Sequence, residues 1–137
     1  PAVLAPPDLH DELASRATGR VVVVMFGASW CAPCEGELRF LQGQYDALHA
    51  RGLDVVYASE EGPASTSAYV ARLGLTMPYV ADGDFLLAGV YRPTALPSTY
   101  LLGPDGRMRA LWPGYHADER DAMAATIRAL VDEVSPP

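Results

Sequence analysis

The apolar residues between Arg20 and Phe26 form an unbroken run that contains four consecutive valines. A β-branched run that is apolar at every position is typical of a strand covered on both faces of a sheet. This pattern predicts the central strand of the fold. Leu53 to Ser59 has the same character and predicts a second buried strand.

Between these two strands the apolar residues change to helical spacing. They recur every three or four residues at Leu38, Leu41, Tyr45 and Leu48. This spacing predicts a helix from about Cys31 to Ala50, and Gly52 suits its C-terminal end. A strand–helix–strand unit of this length is expected to be right-handed with parallel strands.

Shorter elements are predicted on either side of this unit. The segment from Glu60 to Pro93 predicts a helix at Ser65–Leu73, an extended piece at Met77–Ala81 and one or two helical turns at Phe85–Val90. Capping and spacing also predict a short helix at Asp8–Ser15.

A hairpin and a helix are predicted at the end of the chain. Ser98–Leu102 and Arg107–Trp112 flank Gly103-Pro104-Asp105-Gly106, in which proline presets one turn residue and glycine permits positive φ. The two strands are therefore expected to be antiparallel. Asp118–Val134 has the amphipathic spacing of a closing helix.

Length and charge narrow the class of protein. The 137 residues suit one domain, which we expect at 8–134, with a flexible segment at 1–7 and a tail at 135–137. Seventeen acidic and ten basic residues give a formal net charge of −7, which disfavours nucleic acid and anionic lipid as partners. No apolar run reaches the roughly 18 residues of a membrane helix. The first residue is Pro1, which is consistent with a leader or anchor upstream of it.

Cys31-Ala32-Pro33-Cys34 lies where the central strand gives way to the helix. Free backbone N–H groups at a helix N-terminus stabilise a thiolate and lower a thiol pKa, so Cys31 is expected to be the nucleophile. The i, i+3 spacing puts both sulfurs on one face of the first turn, which makes Cys34 the resolving thiol. Pro33 at an early helical position loses no hydrogen bond.

Two other interpretations of this motif are weaker. A CxxC pair is half of a zinc site, but the chain has only two cysteines, and no histidine has ligand spacing to them. A purely structural disulfide in so tight a loop would restrain little chain entropy. The sequence therefore predicts neither a metal nor another cofactor.

These motifs resemble the thioredoxin fold, and most closely the membrane-tethered, extracytoplasmic TlpA/ResA-like thiol-disulfide oxidoreductases. VVVVMFGASWCAPC at 21–34 is similar to the strand and active-site signature of that family, and LPSTYLLGPDGR at 96–107 to its cis-proline loop, strand and turn. MPYVAD at 77–82 is similar to the insertion of this branch. The resemblance implies an α/β thioredoxin-like fold, with a central mixed sheet flanked by helices and an insertion between the second and third strands.

The resemblance also implies a substrate platform beside Cys31. The Leu96–Pro97 bond would be cis and Pro97 would pack opposite Cys31, although most X-Pro bonds are trans. The backbone of Leu96 would be free to pair with an extended peptide.

An apolar lip around the nucleophile is expected from Trp30, Pro33 and Leu96. Tyr115 either joins this lip or packs under the last helix. His116 either tunes Cys31 or is structural, which is the commoner role of a lone histidine.

Glu37 is the predicted proton acceptor. Thioredoxins carry a buried aspartate below the motif, where this chain has Met25, and Glu37 coincides with the acidic residue that ResA-like proteins place after CxxC. A buried carboxylate there could take the proton from Cys34. The alternative is an exposed first-turn glutamate favoured by the helix dipole, which fits Glu35 better.

The function implied is reduction of disulfides in exported proteins, with electrons from a membrane thiol reductant. The expected location is periplasmic or otherwise extracytoplasmic, and a monomer is expected. Alternatives are a disulfide-forming oxidant of the same fold, a Cu(I)-handling thiol module and a redox-inert adaptor, the last opposed by the intact CxxC. A specialised role in cytochrome c maturation is weakened because Ser98 stands where that branch has glutamate.

Overall fold

The structure is a computed structural model that describes residues 1–4 and 19–136. Its strands form one six-stranded sheet in the order β1-β4-β3-β2-β5-β6. Their bounds are β1 Val3–Leu4, β2 Val21–Gly27, β3 Leu53–Ser59, β4 Tyr79–Ala81, β5 Ser98–Leu102 and β6 Met108–Pro113. β1 pairs with β4, β4 with β3 and β3 with β2, and all three pairs are parallel. β5 is antiparallel to both β2 and β6. The sheet is therefore mixed, as predicted.

In the described residues, four helices accompany the sheet. They are α1 Ala32–Leu48, α2 Pro63–Leu73, α3 Ala88–Tyr91 and α4 Arg120–Val134. A 3₁₀ turn, His49–Arg51, continues α1 to Gly52, whose φ of +111° ends the helical path. The helix predicted at Asp8–Ser15 lies outside the described residues. Within 1–4 and 19–136, no helix is long and apolar enough to span a bilayer.

The all-apolar sequence of β2 is explained by two separate cores. Val21, Val23 and Met25 face one side of the sheet, where α1, α2 and α4 pack, together with both cysteines. We call this side the dithiol face. Val22, Val24 and Phe26 belong to the cluster on the other side, which includes Leu87 and Ala88 near the start of α3. Burial on both faces confirms the prediction of a central strand.

The predicted insertion adds a strand as well as helices. Residues 60–93 contain α2, β4 and α3, and β4 lies between β1 and β3 in the sheet. Val3 and Leu4, expected within a flexible segment, instead pair with Tyr79 and Val80. Two residues are too few to show a strand period, and their partner is supplied by the distant insertion.

The β5–β6 hairpin brings the proline loop to the C-terminal end of β2. Its turn closes through a Gly106 N–H bond to the Gly103 carbonyl, 2.9 Å, with φ of +80° at Gly106. In the antiparallel register, Ser98 lies opposite Phe26. Pro97 therefore reaches the same end of β2 from which the chain continues to Cys31.

Candidate active site

The CxxC motif begins directly after a tight turn that follows β2. The Cys31 N–H donates to the Ala28 carbonyl at 3.1 Å, and Cys31 is the extended N-cap of α1 with φ −91° and ψ 103°. Pro33 lies in the first turn of α1, where its missing N–H leaves no helical hydrogen bond unmade. The turn thus brings Cys31 to the positive end of the helix dipole.

The two cysteines are joined by a disulfide with a Cα–Cα distance of 5.3 Å. They differ in exposure, since Cys31 is 7% exposed and Cys34 is 0% exposed. A reagent from solvent therefore meets the Cys31 sulfur first. This is the arrangement that a nucleophile and a shielded resolving thiol require.

A buried carboxyl group lies one helical turn beyond Cys34. Glu37 is 1% exposed, and its Oε1 accepts a hydrogen bond from the Thr99 hydroxyl at 3.0 Å. Burial raises the pKa of Glu37, an effect opposed by the Thr99 hydrogen bond and the Arg120 charge and reinforced by Glu119. Glu37 is therefore on the dithiol face, as its predicted role requires, and does not point to solvent.

Cys34 packs against the end of β2. A Cβ on Gly27 would lie 2.9 Å from the Met25 methyl carbon, 3.1 Å from the Cys34 sulfur and 3.3 Å from Tyr57 Cε1. A larger residue at position 27 would force these three side chains to shift. Cys34 is thus packed against apolar atoms. Burial in the same region raises the pKa of Tyr57.

Tyr115 covers the first turn of α1. A Cβ on Gly36 would come within 3.1–3.2 Å of the Tyr115 ring and hydroxyl. The Arg120 guanidinium lies 5.3 Å from the ring centroid and donates to the hydroxyl. Tyr115 therefore packs between Gly36 of α1 and Arg120, the first residue of α4. His116 is exposed, and its carbonyl accepts the Glu119 N–H at 2.9 Å.

The predicted apolar lip is open to solvent in part. Trp30 is 70% exposed and Pro33 is exposed, whereas Leu96 is half-buried against the cores of both faces. The Leu96–Pro97 peptide bond is cis, the isomer that the resemblance implies. The buried Pro97 accepts the Gly114 N–H through its carbonyl at 2.7 Å.

A second carboxylate, not predicted from the sequence, contacts the turn before Cys31. Glu61 Oε1 accepts the Ser29 backbone N–H, and Oε2 accepts the Ser29 hydroxyl at 2.9 Å. The two residues are 32 positions apart. The available signal was positional, since Glu61 follows a buried parallel strand whose C-terminal end adjoins that of β2.

Across the described part of the chain, no group of three or more His, Cys, Asp or Glu side chains is arranged to hold a metal ion.

Comparisons with known proteins identify a family, named relatives and similar solved structures. The model of the AhpC/TSA family matches residues 9–111. Thiol-disulfide oxidoreductase ResA of Geobacillus kaustophilus is 27% identical over 106 residues, which are 77% of this chain and 61% of the relative. The chain thus spans less than two thirds of that relative's length.

Solved structures with a similar fold include two bacterial proteins. One is a protein assigned as thiol:disulfide interchange protein DsbE from Chlorobium tepidum, with a TM-score of 0.77, 21% identity and coverage of 85% of this chain and 84% of that one. The other is StoA from Bacillus subtilis, with a TM-score of 0.66, 25% identity and coverage of 79% and 84%. The predicted thioredoxin-like fold is thereby confirmed.

Proposed function

Because the chain belongs to the AhpC/TSA family, we propose that it acts through its cysteine pair as a protein thiol-disulfide oxidoreductase. The observation that carries the proposal is the unequal exposure of the two bonded cysteines at a helix N-terminus. The name of the ResA relative supports the same chemistry.

The reaction is two successive thiol–disulfide exchanges. In the reduced protein the Cys31 thiolate attacks one sulfur of a substrate disulfide, and the other substrate sulfur leaves as a thiolate. The Cys34 thiolate then attacks the Cys31 sulfur of the mixed disulfide and expels the remaining substrate thiolate. Two electrons pass to the substrate, its two thiolates take up two protons, and the Cys31–Cys34 disulfide forms.

Glu37 supplies the proton acceptor for the second exchange. Cys34 has no exposed surface, so its proton must pass to a group inside the protein. A carboxylate whose pKa is raised by burial is a better base at neutral pH than an exposed one. Its hydrogen bond from Thr99 holds one oxygen and leaves the other to take the proton.

The substrate lies across the rim of the site. Trp30 and Pro33, before and after Cys31 in the chain, offer exposed surface to the substrate. In this proposal Leu96 and Pro97 form the opposite wall. An extended segment of the substrate pairs with the Leu96 backbone, in the manner of strand addition. A cystine in that segment then faces the Cys31 sulfur.

The direction proposed is reduction of disulfides in exported proteins, outside the cytoplasm, by the single domain at 8–134. A membrane thiol reductant would regenerate the dithiol, and the protein would work as a monomer. The insertion supports reduction over oxidation because residues 60–93, all of them described, contain only two short helices, of 11 and 4 residues.

Substrate trapping tests this proposal. A Cys34→Ala variant in cell extract should accumulate mixed disulfides through Cys31 that a thiol reductant releases. The wild-type protein with a thiol donor should reduce insulin, and Cys31→Ser should not. If neither trapping nor insulin reduction occurs, the assignment as an oxidoreductase is wrong.

A further inference from the structure

Three hydrogen bonds tie the turn before Cys31 to the loop after β3. Two are those from Ser29 to the Glu61 carboxylate. The third runs from the Glu60 backbone N–H to the Gly27 carbonyl at 2.9 Å. The turn between β2 and Cys31 is therefore held at two points by one neighbouring loop.

That loop is itself fixed from behind. The Ser59 hydroxyl accepts the Glu61 N–H at 3.2 Å and the Thr66 hydroxyl at 2.9 Å. Both Ser59 and Thr66 are buried. A Cβ on Gly83 would lie 3.2 Å from the Glu61 carbonyl carbon, so the insertion packs directly on this loop. Glu61 therefore has little freedom to leave Ser29.

We propose that Glu61 is a positioning residue that fixes the active-site turn and makes the dithiol more reducing; this rests on the proposed function. It has two effects on Cys31, two residues beyond Ser29. The carboxylate occupies the Ser29 N–H, so this donor is withheld from a Cys31 thiolate. Its negative charge also disfavours a second negative charge nearby, which favours the disulfide over the dithiolate.

Other charged groups surround this loop. Burial and the negative charge of Asp82 both raise the pKa of Glu60. The Asp82 carboxylate accepts hydrogen bonds from the Leu87 and Ala88 N–H groups. On the α2 side, the charges that act on the Tyr69 phenol are Glu35, Arg39, Glu61 and Arg72. The pKa of Tyr57 is raised mainly by burial, and the negative charges of Glu60 and Glu61 raise it further. Glu61 differs from the other carboxylates in bonding to the active-site turn itself.

The test compares Glu61→Gln with Glu60→Gln, which removes the neighbouring charge and leaves the Ser29 contacts in place. The midpoint of the pH profile for alkylation of reduced Cys31 is measured for each. Glu61→Gln should shift it to lower pH by roughly half a unit, or about three-fold more thiolate below the midpoint. Its equilibrium with glutathione should move toward the dithiol by a similar factor. Glu60→Gln should change neither quantity.

Ser29→Ala separates charge from hydrogen bonding. It removes the hydroxyl bond but keeps the backbone bond and the charge, so its midpoint should stay within about 0.2 units of wild type. Equal shifts in Glu61→Gln and Glu60→Gln, or no shift in either, would overturn the proposal. An alkylation midpoint in Ser29→Ala that shifts as far as in Glu61→Gln would also contradict the proposal. Thermal melts show whether each variant is folded. Alkylation needs no substrate, so it remains informative even if disulfide reduction is absent.

Discussion

Glu37 and Glu61 both contact the region of the CxxC motif, but the protein holds them in different ways. Glu37 is on the dithiol face, almost fully buried, and accepts one hydroxyl hydrogen bond from Thr99. Glu61 is half-buried and accepts two hydrogen bonds from Ser29, one of them from the backbone. Burial raises the pKa of Glu37, whereas both oxygens of Glu61 are already occupied as acceptors.

The difference shows how one residue type serves two purposes around one disulfide. A carboxylate with a spare oxygen and an unfavourable environment for charge is suited to exchange a proton. A carboxylate with both oxygens engaged is suited to hold backbone in place. Cys34 needs the first kind of neighbour, and the turn that presents Cys31 needs the second.

The largest effect is expected when either cysteine is replaced by serine. Both carboxylate roles require that Cys31 attacks and Cys34 resolves. Cys31→Ser should reduce insulin turnover to the rate of the thiol donor alone, and Cys34→Ser should stall as a mixed disulfide. Alkylation of the reduced wild type, read by mass spectrometry, should modify Cys31 well before the buried Cys34. Faster modification of Cys34 would reverse the two roles.

The comparison is tested next by Glu37→Gln against Glu35→Gln. Both lie near the start of α1, but Glu35 is exposed and pairs with Arg39 at 3.5 Å. Loss of the acceptor should slow release of the mixed disulfide by on the order of 10²-fold, while the first attack by Cys31 survives. Stopped-flow kinetics resolve the two steps. Unchanged release in Glu37→Gln, or equal slowing in Glu35→Gln, would contradict the role of Glu37.

Gly27 joins the two regions, so its substitution should disturb both. Its carbonyl accepts the Glu60 N–H, and its Cα faces the Cys34 sulfur and the Met25 methyl group. Gly27→Ala should destabilise the fold by about 1–3 kcal/mol, the usual cost of overpacking a core. The control is Gly43→Ala in α1, where an added Cβ meets nothing within 4 Å and alanine should stabilise the helix. Urea unfolding measures both, and a neutral Gly27→Ala would mean that this junction is loose.

The smallest effect expected is the pH dependence of stability. The pKa of Glu37 is raised above its unfolded value near 4.5. The stability that protonated Glu37 contributes to the fold is therefore fully present below pH 4.5 and is lost as pH rises through the folded pKa. Glu37→Gln should therefore raise the urea midpoint at pH 7 but not at pH 3. Glu61→Gln, which loses an acceptor, should lower it at pH 7. Changes of the same sign would remove the distinction between the two carboxylates.

The sequence was informative wherever the relevant neighbours are close along the chain. The all-apolar run of β2, the helical spacing of α1 and the proline–glycine turn of the hairpin each predicted an element within a few residues. Within the site, the spacing from Cys34 to Glu37 is one helical turn, so placement on α1 followed from local geometry. Burial of Glu37 is consistent with that placement.

The exact contacts between residues distant in the chain were not predictable, although the position of Glu61 after β3 placed it at the correct edge of the sheet. Thr99 is 62 residues from Glu37, and Glu61 is 32 residues from Ser29. Each contact depends on strand order and register, neither of which a periodic pattern contains. The packing at Gly27 has the same origin, because it depends on which side chain of β3 lies opposite Met25.

The position of β4 has a consequence for how the sheet assembles. β2 and β3 are joined by α1 and can pair through contacts within one stretch of the chain, whereas β1 pairs with a strand that the insertion contributes. Contacts between distant segments carry a larger loop-closure cost and form later in folding. We therefore expect the amides of Val3 and Leu4 to gain protection from hydrogen exchange after those of β2. Val3 and Leu4 then join the sheet only after the pairing of β2 with β3.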